Sequence, residues 1–150
     1  MSDISEQINL LCEKDNKTAC KAMKDLQAAS EKSDCVYPYM EHFIKLMENE
    51  SSYIRTRGLT LFACNAKWDS GNQIDKFIDR YLRHITDKKP ITSRQCIQLL
   101  PLIAKYKPAL STVIAAALSN ADTSIYSDSM RPLVDNDIQD TLKKIRISQK

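Results

Sequence analysis

The stretch Ser52–Trp68, SYIRTRGLTLFACNAKW, decides the fold because part of it recurs further along the chain. Its second part, Leu59–Trp68 (LTLFACNAKW), aligns with Ile97–Tyr106 (IQLLPLIAKY) at a spacing of 38 residues. The two copies share apolar positions, and both end in Ala-Lys followed by an aromatic residue, which is Trp68 in the first copy and Tyr106 in the second. Recurrence at this spacing is typical of proteins built from stacked helical units.

Apolar residues elsewhere in the chain also recur every three or four positions, which predicts amphipathic helices. Polar turns such as Asp69–Asn72 separate these patterns and mark where one helix ends and the next begins. The sequence predicts eight helices, over Asp3–Glu13, Lys17–Lys32, Val36–Glu48, Ser52–Trp68, Ile74–Ile85 and Ile91–Tyr106, then one from Pro108 and one from about Ser129.

The helices pair into hairpins that repeat along the chain. The first helices of the hairpins carry apolar pairs spaced by 34 and 36 residues: Phe43-Ile44, Phe77-Ile78 and Val113-Ile114. The second helices carry Arg57, Arg94 and Arg131, each 37 residues apart. The one-residue difference from the 38-residue spacing predicts an irregularity in the sixth helix at Pro101. We therefore predict an all-α fold, a short solenoid or α-α superhelix of about four antiparallel helix hairpins, in a single domain over residues 1–150.

The turn and helix start at Glu48–Arg55, ENESSYIR, resemble a HEAT-type repeat of the armadillo-like class. In that family a first helix leads through a short acidic or polar turn to a second helix, which begins near a β-branched residue and an arginine. Asp87–Arg94, DKKPITSR, is a looser copy with extra residues before the arginine. The resemblance covers the whole chain in its period and is closest over Val36–Tyr106. It implies that the second helices line the concave surface of a superhelix and the first helices its convex surface.

The composition is that of a globular protein and indicates no particular chemistry. The formal net charge of +3 is mild for a nucleic-acid-binding domain, and two glycines are too few for a glycine-rich phosphate loop. The sequence contains no metal-ligand spacing, nucleophile motif, signal-peptide pattern or apolar run of membrane length. We expect a cytoplasmic, non-enzymatic protein without a cofactor, a metal or a membrane partner.

The five cysteines are expected to stay reduced, because their number is odd and their spacing fits no zinc-ligand pattern. Cys20, Cys64 and Cys96 fall within the apolar patterns of their helices and are predicted to be buried. Cys12 and Cys35 lie at predicted helix ends and should be accessible.

The candidate partner-binding residues lie on the second helices of the hairpins. They are four arginines and three aromatic residues: Arg55, Arg57, Arg94, Arg131, Tyr53, Trp68 and Tyr106. Arginines suit carboxylate or phosphate groups, and aromatic rings stack on ligands. In the alternative interpretation, which burial favours, the arginines tie one repeat to an acidic turn of the next and the aromatic rings cover the hairpin ends. On the fifth helix, Asp75, Asp79 and Arg83 predict an ordinary salt-bridged solvent face.

Three functions fit these features. The leading hypothesis is a non-enzymatic scaffold that binds a protein or peptide partner through its concave groove, because stacked hairpins create an extended surface. The first alternative is a nucleic-acid-binding protein, because the HEAT-like DNA alkylpurine glycosylases are similar in repeat type, with Trp68-Asp69 as the nearest candidate for their catalytic carboxylate region. The second alternative is a structural building block of an oligomer, because the first and last hairpins lack clearly polar outer faces.

Overall fold

The computed structural model describes the backbone of residues 3–148 and the side chains of residues 3–146. Within that range all regular structure is helical. The eight α-helices are Ile4–Leu10 (α1), Asn16–Lys32 (α2), Met40–Leu46 (α3), Ser52–Cys64 (α4), Gln73–Leu82 (α5), Pro90–Tyr106 (α6), Ser111–Ser119 (α7) and Arg131–Ser148 (α8). The predicted all-α fold is therefore confirmed.

Several helices are shorter than predicted because the chain tightens into 3-10 turns at their ends. Tyr37–Tyr39 forms such a turn around Pro38, so that α3 begins at Met40 rather than at Val36. The prediction that the fourth helix reaches Trp68 is wrong, since α4 ends at Cys64 and a 3-10 turn follows. The tighter i to i+3 hydrogen bonds satisfy groups that a helix terminus would otherwise leave without partners. Two further turns of this kind follow α5 and precede α7, at Arg83–Thr86 and Pro108–Leu110.

The chain divides into two compact units, residues 1–73 and residues 74–150. Each unit has its own apolar core. Fully buried side chains of the first unit include Leu11, Leu26, Phe43, Met47, Leu59, Leu61 and Phe62. Those of the second unit include Ile74, Tyr81, Ile97, Leu100, Ile103, Ile114 and Val134.

The first unit consists of two helical hairpins. Helix α1 packs on α2, α3 packs on α4, and α2 packs on α4. Hydrogen bonds show that α2 and α4 run parallel: Asn16 at the start of α2 accepts from Arg57, and Gln27 further along α2 donates to Cys64 at the end of α4. The second helices of the two hairpins therefore lie side by side.

The second unit repeats this arrangement. Helix α8 packs on both α6 and α7, and the 3-10 turn after α5 contacts α6. Arg94 of α6 lies 2.6 Å from Asp137 of α8, and Ile97 accepts a hydrogen bond from Thr141 one turn further along. Because these pairs advance together along both helices, α6 and α8 are parallel, as α2 and α4 are.

Proline 101 leaves a gap in the backbone hydrogen bonds of α6, and a neighbouring helix fills it. Pro101 has no N–H, so the carbonyl of Ile97, four residues earlier, lacks its usual helical donor. The hydroxyl of Thr141, which is 3% exposed, donates to this carbonyl at 3.3 Å. The hydroxyl of Tyr81 on α5 donates to the adjacent carbonyl of Cys96 at 2.7 Å. Helix α6 runs without a break through Pro101, and side chains of α5 and α8 donate to two of its carbonyls there, so the predicted irregularity stays a prediction.

Replacing Thr141 with valine should lower the free energy of unfolding by about 1–3 kcal/mol, because it leaves the buried Ile97 carbonyl without this donor. In a Pro101→Ala background the new amide of residue 101 supplies the missing donor, and the same substitution should cost clearly less. Urea denaturation of the four proteins in this double-mutant cycle measures the difference. An equal cost of Thr141→Val in both backgrounds would show that the hydroxyl does not serve this carbonyl.

Candidate functional site

Two of the predicted binding residues, Arg55 and Arg57, have their guanidinium groups in the interior of the first unit. Arg55 is 5% exposed and donates to the carbonyls of Asn49 and Glu50, in the turn before α4, at 3.0 and 2.9 Å. Arg57 is 4% exposed and donates to the carbonyl of Leu11, between α1 and α2, at 2.9 Å. Each side chain therefore connects α4 to a turn, a structural role, although the turns are those of its own and of the preceding hairpin rather than of the next one.

The other two arginines connect parts of the second unit. Arg94 Nε lies 2.6 Å from an oxygen of Asp137, so that an ion pair joins α6 to α8. Arg131 is exposed at the start of α8, where its Nε donates to the Thr123 hydroxyl at 3.2 Å and lies 3.9 Å from Asp135. Both guanidinium groups keep some exposure to solvent.

The three aromatic candidates differ in their surroundings. Tyr53, in the first turn of α4, is 63% exposed. Tyr106, at the end of α6, is 38% exposed and has the ammonium group of Lys105 5.2 Å from its ring centre. Trp68 is half-buried, and its indole N–H donates to the carbonyl of Ser30 at 2.6 Å, which ties the chain after α4 to the end of α2.

The structure does not bring the seven residues together in one site. In the first unit, Tyr53 lies at the start of α4 and Trp68 lies beyond its end. In the second unit, Arg94 lies near the start of α6 and Arg131 begins α8, whereas Tyr106 ends α6. Their role in binding a partner stays a prediction.

The first unit contains a groove beside α1 and α2 that the sequence patterns did not reveal. Its volume of about 630 Å³ lies within the range of about 300–1,000 Å³ that is common for binding sites. None of the seven predicted residues lines it. The lining combines small, apolar and charged side chains: Ile4, Gln7, Asp25, Ala28, Ala29, Lys32, Ser33 and Cys35.

The groove lies on the side of α2 that faces away from α4. At about 100° per residue, Asp25, Ala29 and Lys32 form one stripe along α2. Gln27 and Ser30, which bond to Cys64 and to the residue after it, lie on the opposite side. Helix α2 therefore carries a parallel helix on one side and an open stripe on the other, with a carboxylate and an ammonium group about 10 Å apart at its ends.

A single polar side chain is nearly buried at the groove. Gln7 of α1 is 9% exposed, and its amide nitrogen lies 3.4 Å from a carboxylate oxygen of Asp25. This contact is long for an N–H···O hydrogen bond. One feature of the sequence is related to the groove. Ala28 and Ala29 lie outside the buried stripe of α2, and their small side chains leave a depression on the surface of the helix.

The solvent face of α5 differs from the salt-bridged face that the sequence predicts. Asp75 lies 2.8 Å from the ammonium group of Lys107, which comes from beyond the end of α6. Lys76 and Arg80 lie over the ring of Phe77, with their charged groups 5.4 and 5.1 Å from its centre. Sequence spacing alone could not supply these contacts, because the partner of Asp75 is more than thirty residues away.

The cysteine side chains differ widely in exposure. The burial predicted for Cys96 is confirmed, and burial raises the pKa of its thiol. Cys64 is half-buried, and burial raises the pKa of its thiol as well. The burial predicted for Cys20 is wrong, because Cys20 lies to one side of the buried stripe of α2, which runs through Ala19, Ala22, Leu26 and Ser30. The cysteines predicted to be accessible are indeed exposed: Cys12 and Cys35.

In the described part of the chain, no three His, Cys, Asp or Glu side chains are arranged to share a metal ion. None of the helices between residues 3 and 148 combines the length and the apolar character that a membrane crossing requires. No protein-family model, curated protein or solved structure matches the chain. The function therefore has to be inferred from the chain's own surfaces.

Proposed function

We propose that the chain is a non-enzymatic binding module that holds an amphipathic helix of a partner protein in the groove on α2. The position of this groove supports the proposal most directly. It lies opposite α4, so a helix bound there would pack on α2 from the other side. The small side chains of Ala28 and Ala29 allow a close approach, and Ile4 adds an apolar wall.

The opposite charges at the two ends of the groove favour one orientation of a bound helix. A partner helix with a cation near Asp25 and a carboxylate near Lys32 would be complementary, whereas the reverse orientation would bring like charges together. The amide of Gln7 offers a hydrogen-bond donor or acceptor to a polar group of the partner. These groups would select the orientation more than they would add affinity.

We also propose that the hairpins form a HEAT-type superhelix. The support is that the second helices of neighbouring hairpins are parallel within each unit, as a stack of such repeats requires. The exposed rings of Tyr53 and Tyr106 remain candidates for contacts with a partner, each in its own unit.

Selection of helical peptides from a displayed library tests the groove. Peptides that bind the wild-type protein should share an apolar stripe at i, i+3, i+4 and i+7. Replacing Ala28 with arginine should weaken their binding more than about tenfold, because the new side chain fills the groove, while stability changes by less than about 0.5 kcal/mol at this exposed position. Isothermal titration calorimetry measures the affinity.

The matched control is Ala116→Arg, the same change at an exposed alanine of α7, which should leave binding unaltered. Exchanging the two end charges with Asp25→Lys and Lys32→Glu should select peptides whose terminal charges are also exchanged. Peptides that bind the Ala28→Arg protein as tightly as the wild type would exclude the groove as the binding site.

A further inference from the structure

The cations of the chain are concentrated in its second unit. Residues 74–150 contain thirteen Lys and Arg against eight Asp and Glu, a net charge of +5. Residues 1–73 contain nine against eleven, a net charge of −2. The mild overall charge therefore conceals a basic unit, and a basic unit attracts anionic partners.

Within this unit, the solvent face of α5 and the turn after it carry a row of cations. Lys76, Arg80 and Arg83 are exposed and, at about 100° per residue, lie on one side of the helix. The buried side chains of Ile74 and Ile78 lie on the opposite side. The row is about 11 Å long. The turn before α6 carries two more exposed cations, Lys88 and Lys89.

The acidic residues of the same segment neutralise little of the positive charge of this row. The carboxylate of Asp75 is neutralised by Lys107 at 2.8 Å. The side chain of Asp87 is 3% exposed and lies 2.7 Å from the His84 ring nitrogen, inside the unit rather than on the row. Asp79 is the remaining acid of the segment and is exposed.

The ring of Phe77 contacts two of the cationic side chains and restricts their motion. The ammonium group of Lys76 lies 5.4 Å and the guanidinium group of Arg80 lies 5.1 Å from the ring centre. Side chains held in this way lose less conformational entropy when they bind an anion. The same contacts cover the ring, so the face offers charge more than a surface for stacking.

We propose that this α5 face, defined as Lys76, Arg80 and Arg83, binds the phosphate backbone of a nucleic acid. A nucleic acid presents regularly spaced charges along a line, and the α5 face presents cations along a line. The binding is independent of base sequence, because contacts to phosphates position a nucleic acid without reading it. It is separate from the groove on α2 and stands or falls independently of it.

A membrane surface suits this face less well. Amphipathic helices that bind membranes insert an apolar side among the lipids. The apolar side of α5 carries Ile74, Ile78 and Tyr81, and these are buried in the core of the unit. An acidic protein is the other rival, and the experiment below separates it from a nucleic acid.

Fluorescence anisotropy with labelled duplex and single-stranded oligonucleotides tests the proposal. Wild-type protein should bind both at about 50 mM salt and lose affinity steeply by about 200 mM salt. The triple variant Lys76→Gln, Arg80→Gln, Arg83→Gln should bind at least about tenfold more weakly, and its slope of log affinity against log salt should fall by about two to three. Replacing the exposed Asp79 with asparagine should tighten binding.

The matched control neutralises three exposed cations of α8, Lys143, Lys144 and Arg146, and should retain the wild-type affinity to within about twofold. A second variant, Lys76→Arg, Arg80→Lys, Arg83→Lys, keeps the charge and should keep the binding, which separates charge from any structural effect. The proposal is overturned by absence of binding at low salt, or by equal loss in the α8 control. It is also overturned if polyglutamate or anionic vesicles bind more tightly than the oligonucleotides at equal charge concentration.

Discussion

Replacing Arg57 with methionine is expected to lower the free energy of unfolding by about 3 kcal/mol. The buried guanidinium group donates to the Leu11 carbonyl at 2.9 Å and to the Asn16 side chain at 3.0 Å, and hydrogen bonds to charged groups contribute about 1.5–3 kcal/mol each. Methionine retains much of the volume but leaves the buried carbonyl without this donor. Urea denaturation followed by circular dichroism measures the loss.

The control for this change is Arg83→Met, the same substitution at an exposed arginine. Arg57→Lys should give an intermediate loss, because one ammonium group cannot reproduce the two-pronged geometry of the guanidinium group. If Arg57→Met and Arg83→Met differ by less than about 0.5 kcal/mol, the buried contacts do not hold α4 to the turn between α1 and α2.

Adding one methyl group at Gly58 is expected to destabilise the first unit by about 1–3 kcal/mol, although alanine is the better helix former by about 1 kcal/mol. A Cβ atom at this position would lie 2.8 Å from the Cβ of Leu46 and 2.9 Å from the Met47 nitrogen and the Phe43 oxygen. Backbone atoms cannot rotate away, so α3 would have to shift from α4. Thermal and urea denaturation measure the effect.

The control, Ala116→Gly on the exposed surface of α7, measures helix propensity alone and should destabilise by about 1 kcal/mol. Propensity would make Gly58→Ala stabilising by a similar amount, so the two effects have opposite signs. A Gly58→Ala protein at least as stable as the wild type would mean that α3 and α4 are not in such close contact.

Local patterns predicted the helices well where one face of the helix is apolar. Helix α5 is the clearest case, because Ile74, Ile78 and Tyr81 repeat at helical spacing and are all buried. The helix ends were predicted less well, since the 3-10 turns after α4 and before α3 depend on packing between segments. The single-domain organisation, the cytoplasmic location and the oligomer-building alternative stay predictions.

The candidate sites were harder to predict because they depend on residues that are distant in sequence. The groove needs α1 to approach α2 at a particular angle, so Gln7 and Asp25 gave no local signal of it. The partner of Arg57 is a backbone carbonyl 46 residues away, and a carbonyl leaves no mark in the pattern of residue types. An arginine at a repeating position was therefore open to both a binding and a structural interpretation.

Because the thiols differ in exposure, the rates at which they are chemically modified can report local opening of the two units. Cys64 belongs to α4 in the first unit and Cys96 belongs to α6 in the second, and both are protected to different degrees. With the three exposed cysteines replaced by serine, a thiol-reactive reagent would modify the buried Cys96 only when its surroundings open, and the half-buried Cys64 faster as α4 opens. The two modification rates, followed by mass spectrometry over increasing urea, would report whether the units open together or one before the other.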